Sequence, residues 1–477
     1  MVRILIILLF ATVDLFAQPT LGLITNETSA IEGFVLFSNN KQTYLIDKCG
    51  LVVNSWASNF KPGQAVYLLE NGNLLRTAKT QNEFNEGGSG GRFEIYNWEG
   101  SLIWFYDIEG AHHDIAPLPN GNFLLTACDK ITEEEAQAAG RIYSGDLWSE
   151  KIIELQPVGF NQANIVWEWR LWDHITLDPS EANKIYLNYV DPESETSGDW
   201  VHLNAIDFKE NKILVTSRLF SEIWTIDYLS GEIVSRFGNP ATMGSALPAT
   251  IGHPHNAQWL EDDAILLFNN DWLKAPAQSR VEIWEEDNLI YSYTEAGFYS
   301  KYMSGAQRLP NNHILICQGT SGRFFEINES QEIVWEYINP INQNGGPGIQ
   351  GSDPRFNETF RASHYALDYP AFLDKDMTGK FPIELNPISN ECFVPEEAIS
   401  GKITILGNPF GDILQLESDY SEEVLMKIVA IDGRVIGNYR IAQGVSEIPF
   451  SAAPSGLYIA HFSSSGKNLA SIHVSHY

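Results

Sequence analysis

Three histidines that lie far apart in the sequence, His113, His202 and His255, are the residues best suited to chemistry in this chain. Each precedes an apolar segment of a repeated unit, and two other copies of that unit have Gln64 and Ser304 at the same position. In a radial array of repeats, equivalent positions meet near the axis. The spacing therefore predicts that three imidazoles gather at one central site, where donors can surround a tetrahedral anion and one neutral nitrogen can attack it.

The repeated unit also predicts the fold. Its copies align on one leucine each, at intervals of 49, 90, 52 and 49 residues by subtraction, which is blade length with one large insertion. The aligned leucines are Leu75, Leu124, Leu214, Leu266 and Leu315. With three short strands near the N-terminus, the copies make six units of about four strands each. A single unit cannot bury both faces, so we predict an all-β fold, a six-bladed β-propeller over residues 30–380, with five or seven blades as alternatives.

Further polar and aromatic residues are predicted to face the same site. Arg218 ends a strand that should pair with the strand after the second histidine, and Asn204 stands at the start of that strand. The insertion at residues 172–198 is a predicted rim loop whose Tyr186 and Tyr189 would form an aromatic wall above the channel. Structural roles are the alternative: a hydrogen-bonded histidine at a strand start, a salt bridge between blades for Arg218, and a solvated loop for the insertion.

The overall charge limits the possible partners. The 477 residues include 30 Lys and Arg and 61 Asp and Glu, for a formal net charge of −31. Such a surface argues against nucleic acid or an anionic membrane as a partner and favours solubility. An anionic substrate would need a local positive pocket.

Residues 1–17 resemble a secretory signal, with Arg3 before an apolar run at residues 4–13. That run is too short to span a membrane, and we predict no integral membrane span. The four cysteines form no CxxC pair, which argues against a structural zinc site and leaves disulfide pairing open. They are Cys49, Cys128, Cys317 and Cys392.

The C-terminal part differs from the repeats. Residues 381–400 are a predicted linker, and residues 401–477 are a small β unit. Its Asn408-Pro, Asp432-Gly-Arg-Val and Gly456-Leu-Tyr segments resemble the C-terminal sorting domain of type IX secretion cargo. The resemblance implies export through the periplasm to the cell surface or the medium by the type IX secretion machinery. An accessory β-sandwich is the alternative.

Four segments of the repeat region resemble the bacterial arylsulfate sulfotransferase family, in the family's order, over roughly residues 30–375. They are His113–Asn122, Asp199–Arg218, His255–Trp259 and Phe360–Tyr365. The resemblance implies a six-bladed propeller that moves a sulfuryl group from a phenolic sulfate ester to a phenolic acceptor. It implies no nucleotide donor, no other cofactor and no metal.

The resemblance also implies a role for each residue. His255 matches the histidine that becomes transiently sulfated, and Ser304 stands where the family has a small hydroxyl residue. Four residues would surround the sulfate: His113, His202, Asn204 and Arg218.

Two features depart from the family pattern, because its N-terminal β-sandwich is not evident here and the tail differs. Two other functions stay open: a metal-dependent propeller lyase in which the three histidines hold a divalent cation, and a non-catalytic binding propeller. The natural donor, the acceptor and the oligomeric state do not follow from the sequence.

Overall fold

The computed structural model describes residues 19–192, 198–271, 276–342, 344–388, 402–420, 424–430, 434–451, 453–464 and 467–477. The predicted signal segment, most of the predicted linker and Cys392 lie outside the described residues. Strands dominate the described chain, so the all-β prediction is confirmed. Among the described residues, no helix is both long and apolar enough to cross a membrane.

Within the described residues, six antiparallel sheets of four or five strands follow the repeats. The sheet of the first repeat is β5 (Pro62–Leu68), β6 (Leu74–Lys79), β7 (Gly91–Tyr96) and β8 (Leu102–Asp107). The second is β9 (Ala111–Pro117), β10 (Phe123–Ile131), β11 (Leu147–Val158) and β12 (Gln162–Arg170). The third is β15 (Leu203–Lys209), β16 (Lys212–Ser217), β17 (Glu222–Asp227) and β18 (Ile233–Phe237).

The remaining three sheets complete the repeat region. The fourth is β19 (His255–Trp259), β20 (Ile265–Asn269), β21 (Arg280–Glu285) and β22 (Asn288–Tyr293). The fifth is β23 (Gly305–Arg308), β24 (Ile314–Gln318), β25 (Arg323–Ile327) and β26 (Ile333–Ile338), joined at its edge by β1 (Gly22–Asn26). The sixth pairs β27 (Ala362–Tyr365) with β2 (Phe34–Asn39), β3 (Gln42–Asp47) and β4 (Val52–Ala57).

The first strands of successive sheets pack side by side. Along the chain β5 contacts β9, β9 contacts β15, β15 contacts β19, and β19 contacts β23. β27 contacts β23, and β2, its partner in the sixth sheet, contacts β5. This arrangement places the starts of the first strands around a common centre, where β27 joins the end of the repeat region to its beginning. The number of blades stays a prediction at this point.

Tryptophans in the fourth strands of four sheets connect neighbouring sheets. The indole N–H of Trp56 donates to the carbonyl of Asn97 at 2.9 Å, and Trp335 donates to Lys48 at 2.8 Å. Trp104 and Trp169 make equivalent bonds to the following sheet. A buried indole needs a partner for its N–H, so these bonds fix each sheet against the next while the rings fill the space between them.

The extra length in the second repeat lies in two places. Helix α1 (Glu133–Ala138) separates the long strands β10 and β11. Thr132 is its N-cap residue and forms a capping box with Glu135. The predicted rim insertion holds a 3₁₀ turn at Leu171–His174 and two short parallel strands, β13 (Ile175–Thr176) and β14 (Ile185–Tyr186). Further 3₁₀ turns lie at Pro240–Met243, Gly319–Ser321 and Pro370–Phe372.

The C-terminal residues form two more sheets around an apolar cluster of their own. One contains β28 (Ile403–Leu406), β29 (Ile413–Ser418) and β32 (Gly444–Pro449). The other contains β30 (Val424–Ala430), β31 (Val435–Ile441), β33 (Gly456–Ser464) and β34 (Lys467–His476). Leu416, Ile428 and Phe462 are buried in this cluster. The first residues of the predicted linker pack on the repeat region, since Pro382 bridges to Leu51 and Ile383 is buried there.

Candidate active site at the starts of the first strands

Each predicted histidine lies where a first strand is irregular. His113 and His255 stand three residues before the residue that pairs with the repeat leucine, while His202 stands five residues before it. All three strands shift register next to the histidine, as in a β-bulge. His113 and His202 also have positive φ angles of 44° and 58°. Bulges and left-handed residues redirect side chains and are frequent beside active sites.

The irregular starts bring the imidazoles together. The ring centroids of His113 and His202 are 4.6 Å apart, in an edge-to-face arrangement. His255 is close enough to both that its charge would act on His113, and the charge of His202 would act on it. All three side chains are buried, so the predicted cluster is a single water-poor site.

An amide fixes the protonation of His255. The Nδ2 group of Asn270 donates to the carbonyls of Ser300 (2.6 Å) and Met303 (3.2 Å), so its Oδ1 is the atom that faces His255. That oxygen lies 2.7 Å from Nδ1 of His255, which must therefore carry the proton. The lone pair is left on Nε2, where it accepts a long bond of 3.2 Å from the N–H of Met303.

Burial and a nearby cation keep this ring neutral. The pKa of His255 is lowered well below its ordinary value, first by burial and then by the guanidinium of Arg218. Arg218 follows β16 and donates its backbone N–H to the carbonyl of His202 at 3.0 Å. Its half-buried side chain also lowers the pKa of His113 and His253, after burial. Arg218 thus places a positive charge close to these rings.

Carboxylates stand behind two other imidazoles at the site. Asp199 bonds Nδ1 of His202, and Asp191 lies 2.9 Å from Nε2 of His253. A carboxylate in this position fixes the ring and stabilises positive charge on it. Burial still lowers the pKa of His253 to about 4 against the effect of Asp191. Within the described residues, the ring of His202 is hydrogen-bonded through Nδ1 and no hydrogen bond reaches its Nε2.

His113 is backed by a second imidazole. Its Nδ1 lies 2.9 Å from Nδ1 of His112, and Nε2 of His112 lies 2.9 Å from a carboxylate oxygen of Glu150. Burial lowers the pKa of His113 well below its ordinary value, and His202 and His112 lower it further. Gly88 lies against the ring with φ of 75°, and a Cβ there would come within 2.0 Å of His113. A glycine is therefore required at position 88.

A salt bridge below the site holds the start of β9. The guanidinium of Arg361 reaches both carboxylate oxygens of Asp114, at 3.2 and 3.0 Å, and Tyr67 donates to the same carboxylate at 3.0 Å. Asp114 also accepts the N–H of Ile206 in β15. These bonds tie three first strands together directly beside His113.

Other predicted site residues lie apart from the imidazoles or are used by the scaffold. Asn204 is fully buried and donates to the carbonyl of Pro254 at 2.8 Å, which connects it to the strand of His255. The hydroxyl of Ser304 donates to Ser300 Oγ (2.8 Å) and accepts the N–H of Gly319 (2.9 Å). These bonds give Ser304 a structural role, while the neighbouring residue, Met303, contacts His255.

The predicted aromatic wall has its own packing. Tyr189 lies 4.8 Å from the ring of Phe220, and its hydroxyl accepts a hydrogen bond from Asn239. Tyr186 lies in the short parallel pair with β13. In the described part of the chain, no hydrogen bond or ring contact joins either tyrosine to the histidines, so a role above the channel stays a prediction.

The atoms that lie close enough together to hold a metal ion do not belong to the three predicted histidines, His113, His202 and His255. In the described chain, the group of three whose atoms lie within 4.8 Å of one another is His112, Cys128 and Glu150. Cys128 Sγ is 3.3 Å from Nε2 of His112, so these atoms form a hydrogen-bonded network among themselves. Cys128 and Cys317 are free buried thiols, whereas Cys49 is disulfide-bonded.

The fold and the site together define an all-β propeller with buried imidazoles gathered at the starts of its first strands and the guanidinium of Arg218 close to them. The chain belongs to the arylsulfotransferase (ASST) family, whose profile matches residues 23–346. Among curated proteins, none shows significant similarity to it.

Several solved structures match the chain at low identity and with TM-scores below 0.5. A protein of unknown function from Bacteroides caccae has 12% identity and a TM-score of 0.44, covering 70% of this chain and 98% of its own. Virginiamycin B lyase from Staphylococcus aureus has 12% identity and a TM-score of 0.35, covering 68% and 90%. The Cps50 (Swd1) β-propeller domain from Myceliophteria thermophila has 9% identity and a TM-score of 0.38, covering 73% and 97%. At these TM-scores the similarity says nothing about function.

Proposed function

We propose that this protein transfers a sulfuryl group from an aryl sulfate ester to a phenolic acceptor through a sulfohistidine on His255. Membership of the arylsulfotransferase family supports sulfotransferase activity in general. The observation that carries the finer proposal is the state of His255: a buried, neutral ring whose lone pair is fixed on Nε2 by Asn270. A neutral imidazole with a defined lone pair is a competent nucleophile.

In the first displacement, Nε2 of His255 forms a bond to sulfur while the bond from sulfur to the phenolic oxygen breaks. The long bond from the N–H of Met303 is given up as Nε2 turns its lone pair to the donor. Arg218 and the neighbouring imidazoles stabilise the charge on the sulfuryl oxygens. The bonding electrons leave with the phenolate, which takes up the proton that a neighbouring imidazole accepted from the acceptor phenol of the preceding cycle.

In the second displacement, the acceptor phenol attacks sulfur and the bond from sulfur to Nε2 breaks. The acceptor must lose its proton, and the Nε2 atoms of His113 and His202 are the bases in reach. Such general acid–base help contributes roughly 10²–10⁴-fold to a rate. Two displacements avoid holding two phenols in line around one sulfur.

The architecture and the destination of the chain are part of this proposal. We propose that the six sheets close into a six-bladed propeller spanning residues 30–380, which the packing of β27 and β2 against their neighbours supports. We further propose that residues 1–17 are a signal peptide. Residues 401–477, after the linker at 381–400, would act as a type IX sorting domain that leads the protein to the cell surface or medium.

A transfer assay with His255→Asn tests the chemistry. The wild-type protein should release 4-nitrophenol from 4-nitrophenyl sulfate in a manner that depends on added phenol. The variant should lose at least about 10⁴-fold of that rate, because it lacks the nucleophile. His313→Asn is the matched control, since His313 is a partly buried histidine bonded to Glu326 away from the cluster, and it should keep wild-type turnover.

Other outcomes of this assay would contradict the proposal. Full turnover by the His255→Asn variant would remove the covalent route, and nitrophenol release into water alone would indicate a sulfatase. Stoichiometric metal in the purified, active protein would favour the metal-dependent lyase instead.

A further inference from the structure

A buried chain of three ionisable side chains leads away from the site. Glu150, His112 and His113 are connected in that order by two contacts of 2.9 Å, and none of their side chains is more than slightly exposed. His112 and Glu150 do not touch the space beside His255, so the mechanism above does not use them.

The hydrogen bonds fix the direction of this chain. Both carboxylate oxygens of Glu150 are placed as acceptors: Oε1 takes the N–H of Leu203 at 2.7 Å, and Oε2 faces Nε2 of His112 at 2.9 Å. His112 therefore carries its proton on Nε2 and has a lone pair on Nδ1. Two lone pairs would repel each other at 2.9 Å, so Nδ1 of His113 carries a proton and donates it to the lone pair of His112. The lone pair of His113 is consequently on Nε2, which has no partner among the described residues.

We propose, on the basis of the function above, that Glu150 and His112 are positioning residues that let His113 act as the base and move its positive charge out of the site. When the acceptor phenol attacks, its proton goes to Nε2 of His113, the new oxygen–sulfur bond forms and the nitrogen–sulfur bond of sulfated His255 breaks. The Nδ1 proton of His113 passes to Nδ1 of His112. The donor step runs the same transfers in reverse.

The surrounding charges favour this movement. His113 faces His202, His255 and Arg218, so a positive charge left on its ring is opposed by the guanidinium. One ring further away, the charge lies beside the carboxylate of Glu150 instead. The other neighbours of His112 are uncharged: the ring of Phe84 at 5.1 Å, and the thiol of Cys128, whose pKa is raised well above its ordinary value by burial and by Glu150.

His202 has a carboxylate partner directly on its ring, without a second imidazole between them. Asp199 is bonded directly to its ring, so a proton taken up there leaves the positive charge within the site. The relay through His112 differs because the charge ends one residue further from Arg218.

The test is Glu150→Gln in a pre-steady-state assay with 4-nitrophenyl sulfate and phenol. The new amide would accept the N–H of Leu203 and donate to His112, which reverses both tautomers and puts a proton on Nε2 of His113. The burst of nitrophenol reports sulfation, which needs no acid because nitrophenolate leaves readily. The burst rate should stay within about threefold of wild type, and the later phenol-dependent rate should fall about 10- to 100-fold. The loss should shrink with more acidic phenols.

Burst amplitude counts active molecules, so partial misfolding does not obscure the result. Cys317→Ala removes a buried free thiol that contacts the carbonyl of Thr359 rather than His112, and it should match wild type in both phases. His112→Asn should reproduce the pattern of the Glu150→Gln variant and replaces it if that protein does not fold.

Two results would overturn the relay while leaving the proposed function intact. One is a Glu150→Gln variant with wild-type phenol-dependent turnover per active molecule. The other is an equal loss in both phases, which indicates a structural role only. A wild-type protein without a burst or phenol dependence would instead refute the proposed function itself.

Discussion

His255 and His202 lie in one buried cluster, but different groups stand behind their rings. The amide of Asn270 backs His255, whereas the carboxylate of Asp199 backs His202. An amide oxygen fixes the tautomer without adding charge, so His255 stays neutral beside Arg218. A carboxylate stabilises an imidazolium and suits a ring that must accept a proton. The comparison separates the nucleophile from the acid–base groups within one set of histidines.

Among the variants that test this difference between His255 and His202, removal of the Arg218 guanidinium should have the largest effect on turnover. Arg218→Ala should lower turnover about 10²- to 10³-fold and weaken donor binding, because the sulfuryl oxygens lose their main charge partner. It should also raise the pKa of His255, since Arg218 is the second cause of its lowering after burial. Steady-state kinetics against pH would measure both effects. Unchanged KM for the donor would place Arg218 outside the binding site.

Acid should destabilise the fold through the buried neutral histidines. The pKa of His253 is lowered to about 4 from an ordinary 6.5, so the folded state excludes a proton that the unfolded chain accepts. The contribution to stability is complete above about pH 6.5 and is lost as the pH falls towards 4, which amounts to about 3 kcal/mol for this one group.

Chemical denaturation between about pH 7 and 4 measures this loss. His253→Asn should reduce the pH slope of the unfolding free energy, with the fold intact at neutral pH. An identical slope in the variant would mean that His253 takes up its proton at the same pH in the folded protein as in the unfolded chain.

The smallest expected effect comes from giving His202 the same kind of partner that His255 has, an amide in place of a carboxylate. Asp199→Asn gives His202 an amide partner of the same shape, and we expect turnover to fall about 10- to 100-fold because an imidazolium there loses its carboxylate. Asp191→Asn, behind His253, should cost less than about threefold because no step uses that ring. Equal losses in the two variants, measured with the same donor and acceptor, would erase the distinction between acid–base and structural pairs.

The sequence predicts the frame of this site well because repeats repeat their geometry. Leu75, Leu124, Leu214, Leu266 and Leu315 all lie in the second strand of their sheets. Their spacing was enough to locate the three histidines at the starts of the first strands. The same spacing also predicts Ser304 as a site residue, but its hydroxyl is hydrogen-bonded to Ser300 and Gly319.

The groups behind the rings could not be predicted from the sequence. Asn270 follows β20, and its role depends on where the carbonyls of Ser300 and Met303 fall. Glu150 meets His112 only because β11 pairs with β10 in a register that sets Glu150 opposite Cys128. One sequence signal indicates the backbone segment that packs against the ring of His113. The glycine-rich stretch at residues 87–91 is typical of a close backbone approach.

The central claim is that Nε2 of His255 carries the sulfuryl group between donor and acceptor. Peptide mapping by mass spectrometry, after brief exposure to 4-nitrophenyl sulfate without phenol, tests it most directly. The account predicts one sulfuryl group per chain, on the peptide that contains His255, which disappears when phenol is added. A label on His113 or His202, or an unlabelled protein that still transfers sulfate to phenol, would contradict it.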